Sequence, residues 1–589
     1  MNPEDPNKVV YFAETDARNR KLRFGIKIKD RSRHTYVIGK TGMGKSTLLE
    51  NLAVQDIQDG RGLAFLDPHG KTADLLLEYV PESRMKDVLY FAPFDLDNPI
   101  SFNVLEDVGP DKRHLVANGL MSAFKKIWVD AWSARMEYIL NNILLALLEY
   151  PDSTLIGVNR ILADEDYRKK VIEHITDPSV RSFWVDEFAK YGPKYMQEAG
   201  ASIQNKIGQF ISNPLIRNII GQPKSTFDIR EMMDGKKILI MNLSKGLVGE
   251  ANANLLGAML ITKIYLAAMS RADKREAELD ALPNFYLYVD EFQNFANESF
   301  ADILSEARKY KLNLTVAHQY IEQMTEEVRA AVFGNVGTMI TFRVGAFDAE
   351  FLEKEYGPYF TAQDLVSLGF AQIYLKLMID GVSSRPFSAT TLPPLAKPEH
   401  NMREEIIAES RKTFARPRAD VENEIKAWHE EAQISASENR RDDRNKKFGS
   451  RPSPIDQALA AVLGKAPAPK PVQPSSQPTE QKRDPAYDRE RDLRKAVSLS
   501  YLRQTNQKPK EKKLPSEEHL AELRSALASV VSSDDIESAP KSEPRSVEVR
   551  HSPVQEKAPE RKEPIKPEIK QEEKKEVPED ILKRILEIQ

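Results

Sequence analysis

The sequence predicts an α/β core of mostly parallel strands, broken by an inserted all-α block and followed by a long disordered tail. Three observations carry this. Short, nearly continuous apolar runs recur between helical patterns. One long stretch is helical in period throughout. The composition changes sharply near residue 400.

The apolar runs fall at 35–38, 63–66, 88–91, 238–243, 285–289, 312–317 and 338–342 and carry β-branched or aromatic residues. Strands that read as continuous apolar segments, with no alternation, are those of parallel sheets covered on both faces. Between about 106 and 228 the pattern changes: "WVDAWSARMEYILNNILLALLEY", "NRILADEDYRKKVIEHI" and "IQNKIGQFISNPLIRNII" are all helical in period. The expected order is therefore an N-terminal extension (1–30), a first core segment with the phosphate loop (31–105), an all-α insert (106–228), a second core segment (229–400) and a tail (401–589).

The tail holds 38 Lys and Arg, 36 Asp and Glu, and 18 of the chain's 36 prolines. With few large aliphatics, it cannot bury enough apolar surface to offset its ordering entropy, so most of it is expected to be disordered. Segments 455–463, 517–531 and 578–588 keep apolar residues at helical spacing and could fold on protein partners. Residues 1–400 are left with 47 basic and 53 acidic side chains. Net charge does not announce nucleic-acid binding, although a locally basic groove or pore would still attract a polyanion. There is no cysteine, which excludes disulfides and thiolate metal sites. No signal-peptide pattern is seen, and the apolar stretches 139–148 and 255–269 fall short of the about 20 residues that span a bilayer. A cytoplasmic chain with no membrane-spanning segment is expected.

The most specific motif is "YVIGKTGMGKSTLL", which matches G-x-x-x-x-G-K-[ST] at every fixed position. It runs from a strand through Gly39, Lys40, Thr41, Gly42, Met43, Gly44, Lys45, Ser46 and Thr47 into a helix. The glycines let backbone N–H groups turn inward as an anion nest at a helix N-terminus. Lys45 would reach the β- and γ-phosphates and the Ser46 hydroxyl would ligate Mg²⁺. A second acidic site ends the strand in "NFYLYVDEF": Asp290 over Mg²⁺, and Glu291 placed to polarise an attacking water. The guanine-reading Asn-Lys-x-Asp motif is missing, since Asn205-Lys206-Ile207-Gly208 lacks the aspartate. Lys45 and Asp290 are 245 positions apart, an excess that the helical insert accounts for. His69 lacks partner ligands at metal-binding spacing, so no metal other than nucleotide-bound Mg²⁺ is expected.

Taken in order, "RHTYVIGKTGMGKS", "FLDPHG", the helical insert, "ILIMNLSKG", "YVDEFQNF", "EARKYKLNLTVAHQY" and "FRVGAFDAE" resemble the HerA-FtsK superfamily of DNA-pumping ATPases. Within it, the sequence is similar to type IV secretion coupling proteins of the TraG/TraD kind, over most of 30–395. The resemblance implies a RecA-like core and a ring, expected to be hexameric, with ATP between subunits and DNA in a central channel. It also implies that Gln319 senses the γ-phosphate, and that an arginine acts in trans on the neighbour's ATP. Arg308 matches that arginine best, with Arg343 second. Lys245, in the Ser-Lys-Gly turn, fits a channel residue contacting DNA phosphates without reading bases. Such proteins usually carry an N-terminal membrane anchor, whereas only some 30 residues precede the core here. The expectation is therefore an ATP-hydrolysing DNA translocase in the cytoplasm, recruited to a membrane complex. Two alternatives are an ATPase that moves protein, and a nucleotide-gated scaffold whose tail carries the function.

Overall fold

The computed structural model describes residues 4–16, 20–106, 108–296 and 299–430. Its strands are β1 (Val9–Glu14), β2 (Arg23–Lys27), β3 (Thr35–Ile38), β4 (Gly62–Asp67), β5 (Val88–Phe91), β6 (Ile238–Asn242), β7 (Phe285–Val289), β8 (Leu312–His318), β9 (Thr338–Thr341), β10 (Gln372–Lys376), β11 (Met378–Ile379), β12 (Val382–Ser383) and β13 (Phe387–Thr391). Eleven of them form one sheet in the order β2, β1, β13, β10, β9, β3, β8, β7, β4, β6, β5, and β11 and β12 form a small ribbon. All seven expected strands are present. They are the parallel region of the sheet, from β9 across to β5.

The four antiparallel strands at the other end, β2, β1, β13 and β10, were not expected. Residues 1–30 are thus more than an extension, because β1 and β2 complete the sheet edge. β10 and β13 alternate between buried and half-buried positions where the central strands are buried throughout. They therefore lack the continuous apolar run that marks the central strands.

Neighbouring residues on the parallel strands face opposite cores. Ile38, Leu66 and Val316 pack in one apolar cluster, and Val37, Phe65 and Ala317 in the other. The helix Lys45–Gln58 covers the second cluster with Leu48, Leu49, Leu52 and Ile57. The helices Arg113–Ile127 and Glu250–Ser270 cover the first. Each large apolar side chain buried this way contributes about 1.5–3 kcal/mol.

Every regular element described between β5 and β6 is helical. Local signals start several of these helices: Ser133 caps Ala134–Glu149 through Met136 N–H, and Asp164 caps Glu165–His174 through the N–H groups of Asp166 and Tyr167.

The helix Glu250–Ser270 corrects one expectation. By length and composition the segment from Glu250 to Asp273 could cross a membrane, with a mean hydropathy of 1.4 over its most apolar 18-residue window. In the fold 72% of that window is buried, because the helix is apolar on all sides and sits between the sheet and the insert.

The start of the tail moves as well. The helix Arg403–Phe414, expected within the tail, packs against β5, burying Ile406 and accepting Tyr90 N–H on Ser410 Oγ at 2.9 Å. Residues 418–430 are helical, with Val421 and Ile425 packed on Ile156. Apolar residues at helical spacing within a charged sequence were enough to dock this stretch. The expectations for 455–463, 517–531, 578–588 and the rest of 431–589 lie outside the described residues.

A buried ion cluster ties the central elements together. Asp56, on the helix Lys45–Gln58, accepts two hydrogen bonds from Arg31 at 2.6 and 2.9 Å, one from Arg61 at 2.9 Å and one from Tyr288 Oη at 2.6 Å. Despite full burial, these partners hold its carboxyl below the usual carboxylate range.

Two histidines are buried neutral. His34 accepts Leu314 N–H on Nδ1 at 3.1 Å and donates Nε2–H to the Leu304 carbonyl at 3.2 Å, and burial lowers its pKa to about 4. His318 is lowered to about 3 by burial and by the charges of Lys45 and Lys126. Both values lie below the about 6.5 of an unfolded chain, so unfolding takes up protons and stability falls as pH drops from about 6.5. Denaturation of the wild type between about pH 7 and about pH 4.5 should show an acid slope of roughly 1.4 kcal/mol per pH unit for each histidine. His318→Phe should flatten it by one proton. An unchanged slope in that variant would mean that the buried ring is not the group taking up the proton.

Candidate active site

The phosphate loop joins β3 to the helix Lys45–Gln58. Gly44, the residue before that helix, has φ +114°, which a side chain would strain. A Cβ on Gly39 would sit 2.5 Å from Phe342 Cβ, so glycine is required there by close packing against the end of β9. The turn presents backbone N–H groups at the start of a 14-residue helix, where the macrodipole favours an anion. Lys45 is buried, donates to the Gly39 carbonyl at 2.6 Å, and has its pKa lowered by burial against the opposing pull of Glu291 and Asp290.

The order of the sheet brings the other predicted residues to this loop. β8 lies between β3 and β7. Ile38 pairs with His318, and Val289 with Val316, so the ends of all three strands meet. Asp290 and Glu291 follow β7, and Gln319 follows β8. Ser46 Oγ donates to Asp290 Oδ2 at 2.9 Å. Thr41 Oγ1 donates to Gln319 Oε1 at 2.9 Å, and Gln319 Nε2 donates to Glu291 Oε1. Gln319 therefore bridges the phosphate loop and the acidic pair. Glu291 has φ +48°, a left-handed conformation that costs a non-glycine residue about 1 kcal/mol or more. Its N–H donates to Asp290 Oδ1 at 2.9 Å, which holds the turn. Burial, then Glu291, push the Asp290 carboxyl up to about 6. A hydroxyl and a carboxylate in contact beside an anion nest form the donor set that Mg²⁺ takes with a polyphosphate, keeping its other positions for water and phosphate oxygens.

Three side chains around Glu291 and Gln319 were not among the expected site residues. Gln293 Nε2 donates to Glu291 Oε2, so both carboxylate oxygens are held by carboxamides. Lys126, on the insert helix Arg113–Ile127, donates to the Gln293 carbonyl at 2.5 Å and to the Ala296 carbonyl. Burial lowers its pKa to about 8. Asp348 accepts Ile321 N–H at 2.9 Å and braces the loop after Gln319. Gln293 lies in "YVDEFQNF" and Asp348 in "FRVGAFDAE", but no spacing rule singles them out, and Lys126 comes from a helix far away in sequence.

The remaining predicted residues spread out. Arg308 is exposed in the turn Ala307–Tyr310, before β8, at the opposite end of the sheet from Gln319. The seven residues of β8, at about 3.3 Å each, keep it out of its own chain's phosphate loop. Partial burial and the charge of Arg33 hold its guanidinium below its ordinary value. Arg343 follows β9, and its carbonyl accepts Lys40 N–H at 2.8 Å, which places it beside its own phosphate loop. Lys245 starts a short helix after β6, with its N–H on the Pro68 carbonyl at 2.8 Å. His69 donates its N–H to Asp67 Oδ1 at 2.8 Å, inside a turn in which Asp67 also receives Thr72 and Ala73 N–H.

Residues 6–367 match the family model described as type IV secretory system conjugative DNA transfer. The chain belongs to that family. No curated protein matches it. Among solved structures, the bacterial conjugative coupling protein TrwBdeltaN70 in its unbound monoclinic form is 13% identical, covering 68% of this chain and 98% of that one with a TM-score of 0.49. The plasmid coupling protein TrwB in complex with ADP and Mg²⁺ is 14% identical over 68% of this chain and 98% of its own, at 0.48. VirB4 of Thermoanaerobacter pseudethanolicus is 14% identical over 68% and 100%, at 0.44. Membership in the conjugative DNA transfer family rests on the family match, and the RecA-like core on this chain's own strand order and phosphate loop.

The Lys126 contacts are open to a direct test. Lys126→Met leaves two carbonyls without their donor, which should cost about 1–3 kcal/mol locally. Hydrogen exchange at the Phe295 and Ala296 amides, both bonded to the Phe292 carbonyl, should accelerate. Unchanged exchange there would mean that the lysine does not hold this loop.

Proposed function

We propose that the chain is an ATP-hydrolysing motor that moves DNA, acting as a ring with ATP and Mg²⁺ between neighbouring subunits. The observation that carries this is the placement of Glu291 beside the phosphate loop, with its two oxygens held by Gln319 and Gln293 and the Ser46–Asp290 pair next to it. Family membership supports DNA as the load. The setting that fits is the cytoplasmic side of a membrane secretion complex.

In this reading the phosphate loop from Gly39 to Thr47, including Lys40, Gly42 and Met43, binds the α- and β-phosphates through backbone N–H groups, and Lys45 reaches the β- and γ-phosphates. Ser46 and Asp290 hold Mg²⁺, which draws charge from the phosphate oxygens. Glu291 orients the attacking water and takes its proton. Gln319 touches both Thr41 and Glu291, so loss of the γ-phosphate changes a contact at the end of β8. Arg308 can reach ATP only on a neighbouring subunit, where it would stabilise transition-state charge in trans. Arg343 lies near its own phosphate loop and is the second candidate. Lys245 is the proposed contact to DNA phosphates in the channel, worth about one unit of salt slope if it neutralises one phosphate.

Three measurements test this. DNA should raise the ATPase rate, with salt-sensitive binding; no stimulation and no binding would remove DNA as the load and favour a protein substrate. Glu291→Gln should lower kcat by a factor on the order of 100 or more with ATP binding retained, and unchanged turnover would reject it as the base. Mixing Arg308→Ala with Lys45→Ala subunits should restore activity at hybrid interfaces. Failure to complement within assembled mixtures would reject the trans role.

A further inference from the structure

We propose that Phe370 is the platform on which the base of the bound nucleoside triphosphate stacks. This rests on the phosphate-loop site proposed above and extends it to the portion of the nucleotide that the sequence motifs leave unassigned.

The site has a direction. Its metal and γ-phosphate end is marked by Ser46 on Asp290 and by Thr41, Gln319 and Glu291 in contact, all on the β8 and β7 side of β3. The nucleoside leaves from the other end of the polyphosphate, so it lies past Met43 and Gly44, towards β9, β10 and β13. What borders the loop there is a short turn ahead of β10. Ala371 donates its N–H to the Met43 carbonyl at 3.3 Å, and a Cβ on Gly44 would lie 3.8 Å from Thr391 Oγ1. Phe370 is the residue before Ala371 and is 74% exposed.

This turn is held firmly. Gly369 N–H donates to Gln372 Oε1 at 2.8 Å, and Thr391 N–H donates to the Ala371 carbonyl at 2.9 Å. Ala371 has φ +60°, a strained conformation maintained by these contacts. A fixed loop with a strained residue, bonded to the phosphate loop, thus displays an aromatic ring to solvent. Phe347 is equally exposed, but it lies in the helix Ala346–Tyr356, after the Arg343 contact to Lys40 at the start of the phosphate loop, whereas the Phe370 turn is bonded to Met43 next to the helix N-terminus. The Phe370 ring meets a base by its π-face, so it recognises the class of nucleoside triphosphates and does not distinguish adenine from guanine.

The test compares ATP with tripolyphosphate, which has the phosphates and no base. In the full chain, Phe370→Ala should weaken ATP binding on the order of ten-fold and leave tripolyphosphate affinity unchanged. Phe370→Trp should keep ATP affinity, with indole fluorescence that responds to ATP and not to tripolyphosphate. Unchanged ATP affinity in Phe370→Ala, or equal loss for both ligands, would overturn the platform. If the wild type bound neither ligand, the phosphate-loop reading itself would fall, which is a separate result.

Discussion

The parallel ladder of β3, β8 and β7 is the constraint on which the site depends. With Ile38 opposite His318 and Val316 opposite Val289, the phosphate loop, Gln319 and the Asp290–Glu291 pair emerge side by side from three adjacent strand ends. A slip of one residue along β8 would exchange the faces that Val316 and Ala317 present to the two cores, so burial on both faces defends the register. The same register separates Arg308 from Gln319 by the full length of β8. One strand therefore carries a residue for its own site at one end and, in the proposed ring, an arginine for the neighbour's site at the other.

Around that ladder, polar contacts convert distant stretches of the chain into one site. Asp56 joins the phosphate-loop helix to Arg31, Arg61 and Tyr288, and its charge tolerates burial because it is paired. Lys126 links the helical insert to the loop after Glu291, and Gln293 in that loop holds the Glu291 carboxylate. Movement of the insert would thus be felt at the proposed base without passing through the nucleotide. Asp348 does the corresponding work behind Gln319.

Much of this was legible in the residues. Seven strands were identifiable because nearly continuous apolar runs such as "FYLYV" belong to covered parallel strands, and the phosphate loop because its glycines and Lys-Ser pair are fixed by sterics and charge. The antiparallel edge was not, since β10 and β13 are half-open on one side and do not read as continuous apolar runs. The docked helices of 403–430 were missed because charged residues dominate their composition, while a few apolar positions such as Ile406 and Val421 decide the packing. The membrane-like helix Glu250–Ser270 is the reverse case: an all-round apolar helix has the same composition in a bilayer and in a protein core, and only its neighbours distinguish the two.

The sequence by itself determined the parallel α/β core, the anion-binding turn and the adjacency of Asp290 and Glu291, because each is a local consequence of periodicity, glycine geometry or chain neighbours. Only the tertiary structure decided that Gln293 holds the Glu291 carboxylate while Lys126 holds the Gln293 loop, that Arg308 faces away from its own site, and that the turn of Phe370 borders the phosphate loop. Most of these relations join residues far apart in the chain through strand order and packing, and no local pattern encodes them.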